Sequence, residues 1–514
     1  MILGNGRFRL KAARDTNVRH AINRRLRMCA KKKAELLLHL DEAAEAPLYQ
    51  QIYEQIRDAV TSGRLTQGDR LVSIRKLSAD LGVSHTTVEQ AYLQLATEGF
   101  VANVPRSGYI VEHVDADYFR LERPSSEAEV RELAQTRDRE AFFAENRSGG
   151  EVRYDFSYAN LQPDSFPVRT WCQLLDEVLY ARTSPEFARY SYTDEVCSLQ
   201  AELAGLLSRT RGVSCAPEQV VVQSGTGEAL TMLLQLFDRT TDVVGMEDPG
   251  YATVHEVARR QGFQMVPLPT GQGVEAFLAA VEEKRPKIVF NTPSHQFPTG
   301  LLLPLDARTR LLRWAEENDA YIIEDDSCNE FRYSTRPIPS LQSLDAFGRV
   351  IYLCNVSKVL SPSLRVSYAV LPPKLLERYW DLFNYAHPSV PWLDQEVLAR
   401  FIAQGHWDAH VRKVAKGNHR RHDELLRCLN AEMGDMLDIT GTDTGMHLYV
   451  TVRNGMDERQ LVESALAQGA KVYGTARMRF PGSTLSSSVM IGFSAIAFDD
   501  IAPGVAALAR AWAQ

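Results

Sequence analysis

The 514-residue sequence predicts an α/β protein in two parts. A small helical module ends in a hairpin, and a large domain with a mostly parallel sheet follows. Two patterns carry this. Between Pro47 and Val114, three apolar helical stripes precede two short apolar runs. Beyond residue 152, six short apolar runs alternate with longer amphipathic stretches, as expected of strands buried between helices on both faces. The composition, 45% hydrophobic and 24% charged, is that of an ordinary globular protein and excludes wholesale disorder or a coiled-coil rod. No apolar run is long enough for a membrane span. The seven cysteines lack paired spacing, so they fit the free thiols of a reducing cytoplasm better than a disulfide frame or a metal site.

Residues 1–45 read as a basic arm. From Met1 to Ala34 only Asp15 opposes eleven Lys and Arg, although the whole chain has a net charge of −7. Such an arm could touch phosphate backbones. A disordered tail, or an upstream start with the working chain beginning at Met28, are the other readings. Residues 46–114 form the first module. Pro47 suits a helix start, and Leu48, Ile52, Ile56 and Val60 then recur at a four-residue step. A second helix fits Ser73–Leu81. Gly82 allows a tight turn, and Ser84 caps a third helix carrying Val88, Ala91, Tyr92 and Leu95. Phe100–Val104 and Tyr109–Val111 flank Pro105-Arg106-Ser107-Gly108, a hairpin with a four-residue loop. Three helices and a hairpin describe a winged helix-turn-helix, whose third helix would present Ser84, His85, Thr86 and Thr87 to the major groove of double-stranded DNA.

The segment from Pro47 to Val111 resembles the DNA-binding module of the GntR family. That resemblance assigns DNA-facing positions to Arg75, Ser84, His85, Thr86, Thr87 and Gly108. His85 and Glu89 stand where the family often has Arg, and Val72 where Pro is frequent. Six Lys/Arg against seven Asp/Glu between Pro47 and Val114 leave the module without a basic excess, so alone it should bind DNA weakly. Residues 115–151 read as a linker, with one helical stretch near Ala128–Phe143.

In the remainder, Val220–Val222, Val243–Met246, Ile288–Phe290, Tyr321–Ile323, Val350–Leu353 and Tyr368–Leu371 read as strands, with helices such as Glu228–Phe237, Ala252–Arg260 and Ala307–Glu317 between them. Four features lie just past strand ends, where ligands of such sheets sit. Ser224-Gly225-Thr226-Gly227 opens a helix and suits an anion. Glu324-Asp325-Asp326 places carboxylates where burial demands a positive partner. Ser357-Lys358 with Arg365 suits a reactive lysine. Asp248-Pro249-Gly250-Tyr251 could set an aromatic over a flat ligand.

Together these resemble the pyridoxal-phosphate (PLP) enzymes of the class I aminotransferase fold, fold type I, from about Tyr154 onward. By that resemblance Lys358 forms the internal aldimine and Asp325 holds the pyridine nitrogen protonated. Gly225 and Thr226 form the phosphate loop, with Ser357 and Arg365 near it. Tyr251 stacks on the ring, and Tyr190 falls where a tyrosine reaches the partner subunit's phosphate. Residues 152–390 then correspond to the large PLP-binding domain and 391–514 to a smaller α+β domain. The fusion resembles the MocR-type regulators of the GntR family, and Thr292-Pro293-Ser294-His295-Gln296-Phe297-Pro298-Thr299-Gly300 and Glu330-Phe331-Arg332-Tyr333 strengthen the likeness. It implies a cytoplasmic, head-to-tail homodimer that binds operator DNA and senses an amino compound through aldimine exchange at Lys358. The alternatives are an active aminotransferase carrying a DNA-binding domain, or a repressor with a vestigial pocket. Departures bear on this choice. Ser327 replaces a tyrosine that would contact the ring oxygen, and Phe297 replaces an asparagine. Met490 replaces the arginine that clamps a substrate carboxylate, with Arg477 and Arg479 as candidate effector-binding replacements.

Overall fold

The computed structural model describes residues 36–41, 44–115, 131–132, 152–158, 160–181, 196–334, 338–384, 386–481 and 487–513. The chain divides into two compact units between Phe142 and Phe143. Most of the expected linker helix near Ala128–Phe143, and all of the basic arm up to residue 34, lie outside the described residues.

In the first unit, α1 (Leu48–Thr61), α2 (Ile74–Leu81) and α3 (His85–Thr97) precede the hairpin strands β1 (Val101–Val104) and β2 (Gly108–Val111). The apolar stripes close one core in which Ile52, Val88, Ala91 and Leu95 are fully buried. Ser73 and Ser84 cap α2 and α3 by accepting from the backbone N–H groups of Lys76 and Thr87. Gly82 turns between these helices at φ +69°. Tyr92 donates to the Val72 carbonyl at 2.8 Å, tying α3 to the chain before α2. Packing extends upstream of residue 46, because Leu36, Leu38 and Leu40 lie against this core and Gln55 brackets His39 with two hydrogen bonds. The hairpin loop is one residue shorter than expected. Gly108, at φ +81°, pairs with Val104 as the first residue of β2.

The second unit opens with a short strand, β3 (Tyr154–Asp155). Its main sheet contains β4 (Val220–Gln223), β5 (Val243–Asp248), β6 (Gln264–Pro269), β7 (Ile288–Asn291), β8 (Tyr321–Asp325), β9 (Val350–Asn355) and β10 (Ser367–Val370). The spatial order is β4-β10-β9-β8-β7-β5-β6, parallel except that β10 is antiparallel to both neighbours. All six strands expected from the sequence are present. The seventh, β6, pairs only with β5 at the sheet edge, and Pro267 and Pro269 obscure its signal. Alternate residues serve opposite faces. Tyr321 and Ile323 join the core beneath the helices Thr226–Gln235 and Ala252–Gln261, while Ile322 joins Leu311 and Trp314 on the other side.

Towards the C-terminus, β11 (Leu437–Thr440), β12 (His447–Val452), β14 (Tyr473–Gly474) and β15 (Ser488–Gly492) form an antiparallel sheet in the order β11-β12-β15-β14. β13 (Ala470–Lys471) pairs in parallel with β3. The helices His406–Met433 and Phe498–Trp512 pack on this layer, burying Leu425, Leu448, Ile491 and Trp512.

Candidate functional site

The C-terminal ends of β4, β5, β7, β8 and β9 converge on one cleft of about 690 Å³, closed on its other side by Tyr158, Met446 and His447. Lys358, Asp325, Thr226 and Tyr251 all line it.

The three carboxylates at the C-terminal end of β8, Glu324 and Asp325 within it and Asp326 just beyond, take three different tasks. Glu324, fully buried, accepts from the backbone N–H groups of Leu341 and Gln342 at 2.7 and 3.0 Å. Asp326 forms a buried ion pair with Arg211 at 2.6 Å and accepts from the Tyr352 hydroxyl at 2.8 Å. Asp325 is left to face the cleft. Its Oδ1 accepts from the Ser327 backbone N–H at 3.1 Å and from the Ser327 hydroxyl. Burial dominates and pushes its pKa up to about 6, with the Ser327 hydrogen bonds opposing. Asn355, the last residue of β9, donates to Ser327 Oγ at 2.8 Å and to Thr226 Oγ1 at 3.3 Å, linking that carboxylate to the start of the helix Thr226–Gln235.

Gly225 immediately precedes that helix at φ +88°, ψ 162°. A Cβ there would lie 2.0 Å from Nη2 of Arg365, so the guanidinium occupies the space a side chain would need. Ser357 is half-buried, and its backbone N–H donates to Asn355 Oδ1 at 3.0 Å. Tyr251 meets Phe297 edge to face at 5.9 Å. Behind this wall the buried Glu247 accepts from Asn291 Nδ2 at 2.7 Å and from the Thr292 hydroxyl at 2.6 Å, fixing the strand end that leads to Phe297. Burial raises its pKa to about 7.

Arg477 and Arg479 do not line the cleft. Arg477 is exposed, and Arg479 donates to the Tyr449 hydroxyl at 3.2 Å. Met490 is fully buried between Tyr449 and Tyr473 in the antiparallel sheet. Tyr190 lies outside the described residues. Sequence reasoning passed over Asn355, His447 and Tyr158. Asn355 had a usable signal, a polar residue ending an apolar strand three positions before Lys358. His447 and Tyr158 reach the cleft only through long-range packing.

In the first unit Arg75, Ser84, His85, Thr86 and Gly108 are exposed, with Thr87 half-buried. Ser84 Oγ lies 2.7 Å from the hydroxyls of both Thr86 and Thr87, gathering three short hydroxyls at the N-terminus of α3. Exposed Arg70, which the sequence reading omitted, bridges to Ile110 of β2 and lies 3.9 Å from a Cβ position at Gly108, giving the wing a cation.

Residues 48–111 match the bacterial regulatory proteins of the gntR family, and residues 157–491 match aminotransferase class I and II. An uncharacterized HTH-type transcriptional regulator, YdeL of Bacillus subtilis, is 33% identical over 92% of this chain and 98% of its own. The probable rhizopine catabolism regulatory protein MocR of Rhizobium meliloti is 32% identical over 93% and 96%. The pyridoxine biosynthesis regulator PdxR of Corynebacterium glutamicum is 29% identical over 90% and 95%. Among solved structures, the α-aminoadipate aminotransferase LysN of Thermus thermophilus, complexed with N-(5'-phosphopyridoxyl)-L-leucine, superposes with a TM-score of 0.63 at 25% identity, over 74% of this chain and 98% of that one. The kynurenine aminotransferase of Pyrococcus horikoshii shares the fold at a TM-score of 0.64 and 24% identity, over 78% and 98%. Among the described residues no helix is long and apolar enough to cross a membrane. With a GntR-type DNA-binding module and a fold type I aminotransferase-like domain in one polypeptide, the chain belongs to the MocR-type transcriptional regulators of the GntR family.

Proposed function

We propose that this regulator holds pyridoxal 5'-phosphate on Lys358 and that a primary amine entering the cleft alters its grip on operator DNA. One observation carries the reading: Lys358 and the half-buried Asp325 face a single cleft whose rim includes a helix start beside Arg365. The residues fit that cofactor. Gly225 lets a helix N-terminus approach the Arg365 guanidinium closely, a cradle suited to phosphate. Asp325 makes no ion pair among the described residues, and a protonated ring nitrogen would provide its counter-charge. Bound there, the cofactor supplies an aldehyde carbon and an electron-withdrawing ring.

Each residue then has a task. Arg365, Ser357, Gly225 and Thr226 hold the phosphate, Tyr251 covers the ring, and Asn355 keeps Ser327 and Thr226 in register. Lys358 Nζ would hold the aldehyde carbon of the bound cofactor, and the lysine amine would be placed to take up the protons that an incoming primary amine sheds. Phe297 and Ser327 favour sensing over sustained turnover. The Phe297 ring offers no hydrogen bond, and the Ser327 hydroxyl is engaged by Asp325 and Asn355. In a head-to-tail homodimer, Tyr190 would complete the partner's phosphate site. Arg75, Ser84, His85, Thr86, Thr87 and Gly108 would meet the DNA, and the amine acts by its differential affinity for two arrangements of the modules.

An operator-affinity titration of the cofactor-loaded protein across a panel of primary amines tests this. The expected result is a shift with at least one amine that Lys358→Ala abolishes. No shift with any amine, or an equal shift in K358A, overturns the reading.

A further inference from the structure

The cleft also indicates what kind of amine it accepts, an inference that rests on the function proposed for Lys358. Part of the cleft wall is aromatic. Tyr158 lies 5.6 Å from Phe297 and 6.0 Å from His447 between ring centroids, and Phe297 lies 5.4 Å from His447. His295 meets His447 edge-on at 5.1 Å, and Met446 adds an apolar contact surface. Both imidazoles are deeply buried and hydrogen-bonded, His295 Nδ1 with the Thr444 hydroxyl at 2.8 Å and His447 Nε2 with the Pro298 carbonyl at 2.8 Å. Burial lowers the pKa of each, that of His447 to about 4, so both are neutral at physiological pH. Tyr473 continues this surface at 5.4 Å from Tyr158, and its strand neighbour is the buried Met490.

Counter-charge for an anion is missing from this wall. Among the described lining residues Lys358 is the sole lysine or arginine. Arg365 lies over Gly225, and Arg479 holds the Tyr449 hydroxyl outside the cleft lining. A carboxylate or sulfonate placed against Tyr158, Phe297 and His447 would be desolvated without a partner, which is costly. An aryl ring there would bury apolar surface and make edge-to-face contacts. We infer that the site takes a primary amine with a flat, uncharged tail, an arylalkylamine, in preference to an amino acid or aminosulfonate.

The test compares 2-phenylethylamine with L-phenylalanine, which differ by one carboxylate, on the full-length protein loaded with PLP. Binding is read by calorimetry and by the visible spectrum, with hydroxylamine as a small reactive control. The expected result is binding of 2-phenylethylamine at least about ten-fold tighter than L-phenylalanine, the scale of one buried unpaired charge. Equal or tighter binding of L-phenylalanine overturns the inference and leaves the function of Lys358 standing. Reaction with hydroxylamine but with neither member of the pair does the same. Failure of all three to react overturns the function proposed for Lys358, and the inference falls with it.

Discussion

Replacing Gly225 by Ala tests the cradle at the helix start. At φ +88°, ψ 162° this residue occupies a region essentially reserved for glycine, where an L side chain costs about 1–3 kcal/mol. The added methyl would also sit 2.0 Å from Arg365 Nη2, so the guanidinium must move. Displacing a charge-assisted donor from a phosphate costs about 1.5–3 kcal/mol, which is roughly ten- to hundred-fold in PLP affinity. Gly262→Ala is the matched control. Gly262 is also left-handed, at φ +82°, but nothing lies within 4 Å of its Cβ position. It should lose about 1–2 kcal/mol of stability and keep its PLP affinity. Fluorescence titration with PLP, paired with thermal unfolding of each apo protein, separates the two effects. If G225A binds PLP as tightly as G262A does, the argument for a phosphate cradle under Arg365 is wrong.

Three further outcomes follow from the geometry. Removing one partner of the buried Arg211–Asp326 pair, as in Arg211→Met, should cost about 3–5 kcal/mol in denaturant unfolding, whereas the double change R211M/D326L should recover much of it. Asp325 has its pKa raised from an ordinary 3.8 to about 6, so the apo fold holds an extra proton that the unfolded chain releases. That contribution to apo stability is present below pH 4 and is lost as pH rises to about 6; Asp325→Asn should flatten this part of the stability profile while weakening PLP binding. In the DNA-binding module, Arg70→Ala and Arg75→Ala should each reduce the salt dependence of operator binding by about one ion, and unchanged slopes would remove these side chains from the phosphate contacts.

The strands of the central sheet were legible because each is a short, continuous apolar run, as burial on both faces requires. β6 was not, since an edge strand needs no such run and carries two prolines. The N-caps at Ser73 and Ser84 could be read locally from residue type and the turn that follows. The division of labour among Glu324, Asp325 and Asp326 could not, because it depends on Arg211 and on the Leu341–Gln342 backbone, which are distant in the chain. The cleft showed the same split. Lys358, Asp325, Thr226 and Tyr251 announced themselves as polar or aromatic residues at or just past strand ends. The wall of Tyr158, His295 and His447 exists only once the C-terminal sheet folds against the main one, and no local pattern encodes that.

Everything turns on whether the Lys358 amine carries the cofactor. Borohydride reduction of the purified full-length protein incubated with PLP, followed by peptide mass mapping, answers this directly. The account predicts an absorbance band in the visible that disappears on reduction, together with a stable phosphopyridoxyl modification on the peptide containing Lys358. A colourless protein, or label spread over surface lysines with Lys358 unmodified, would contradict it.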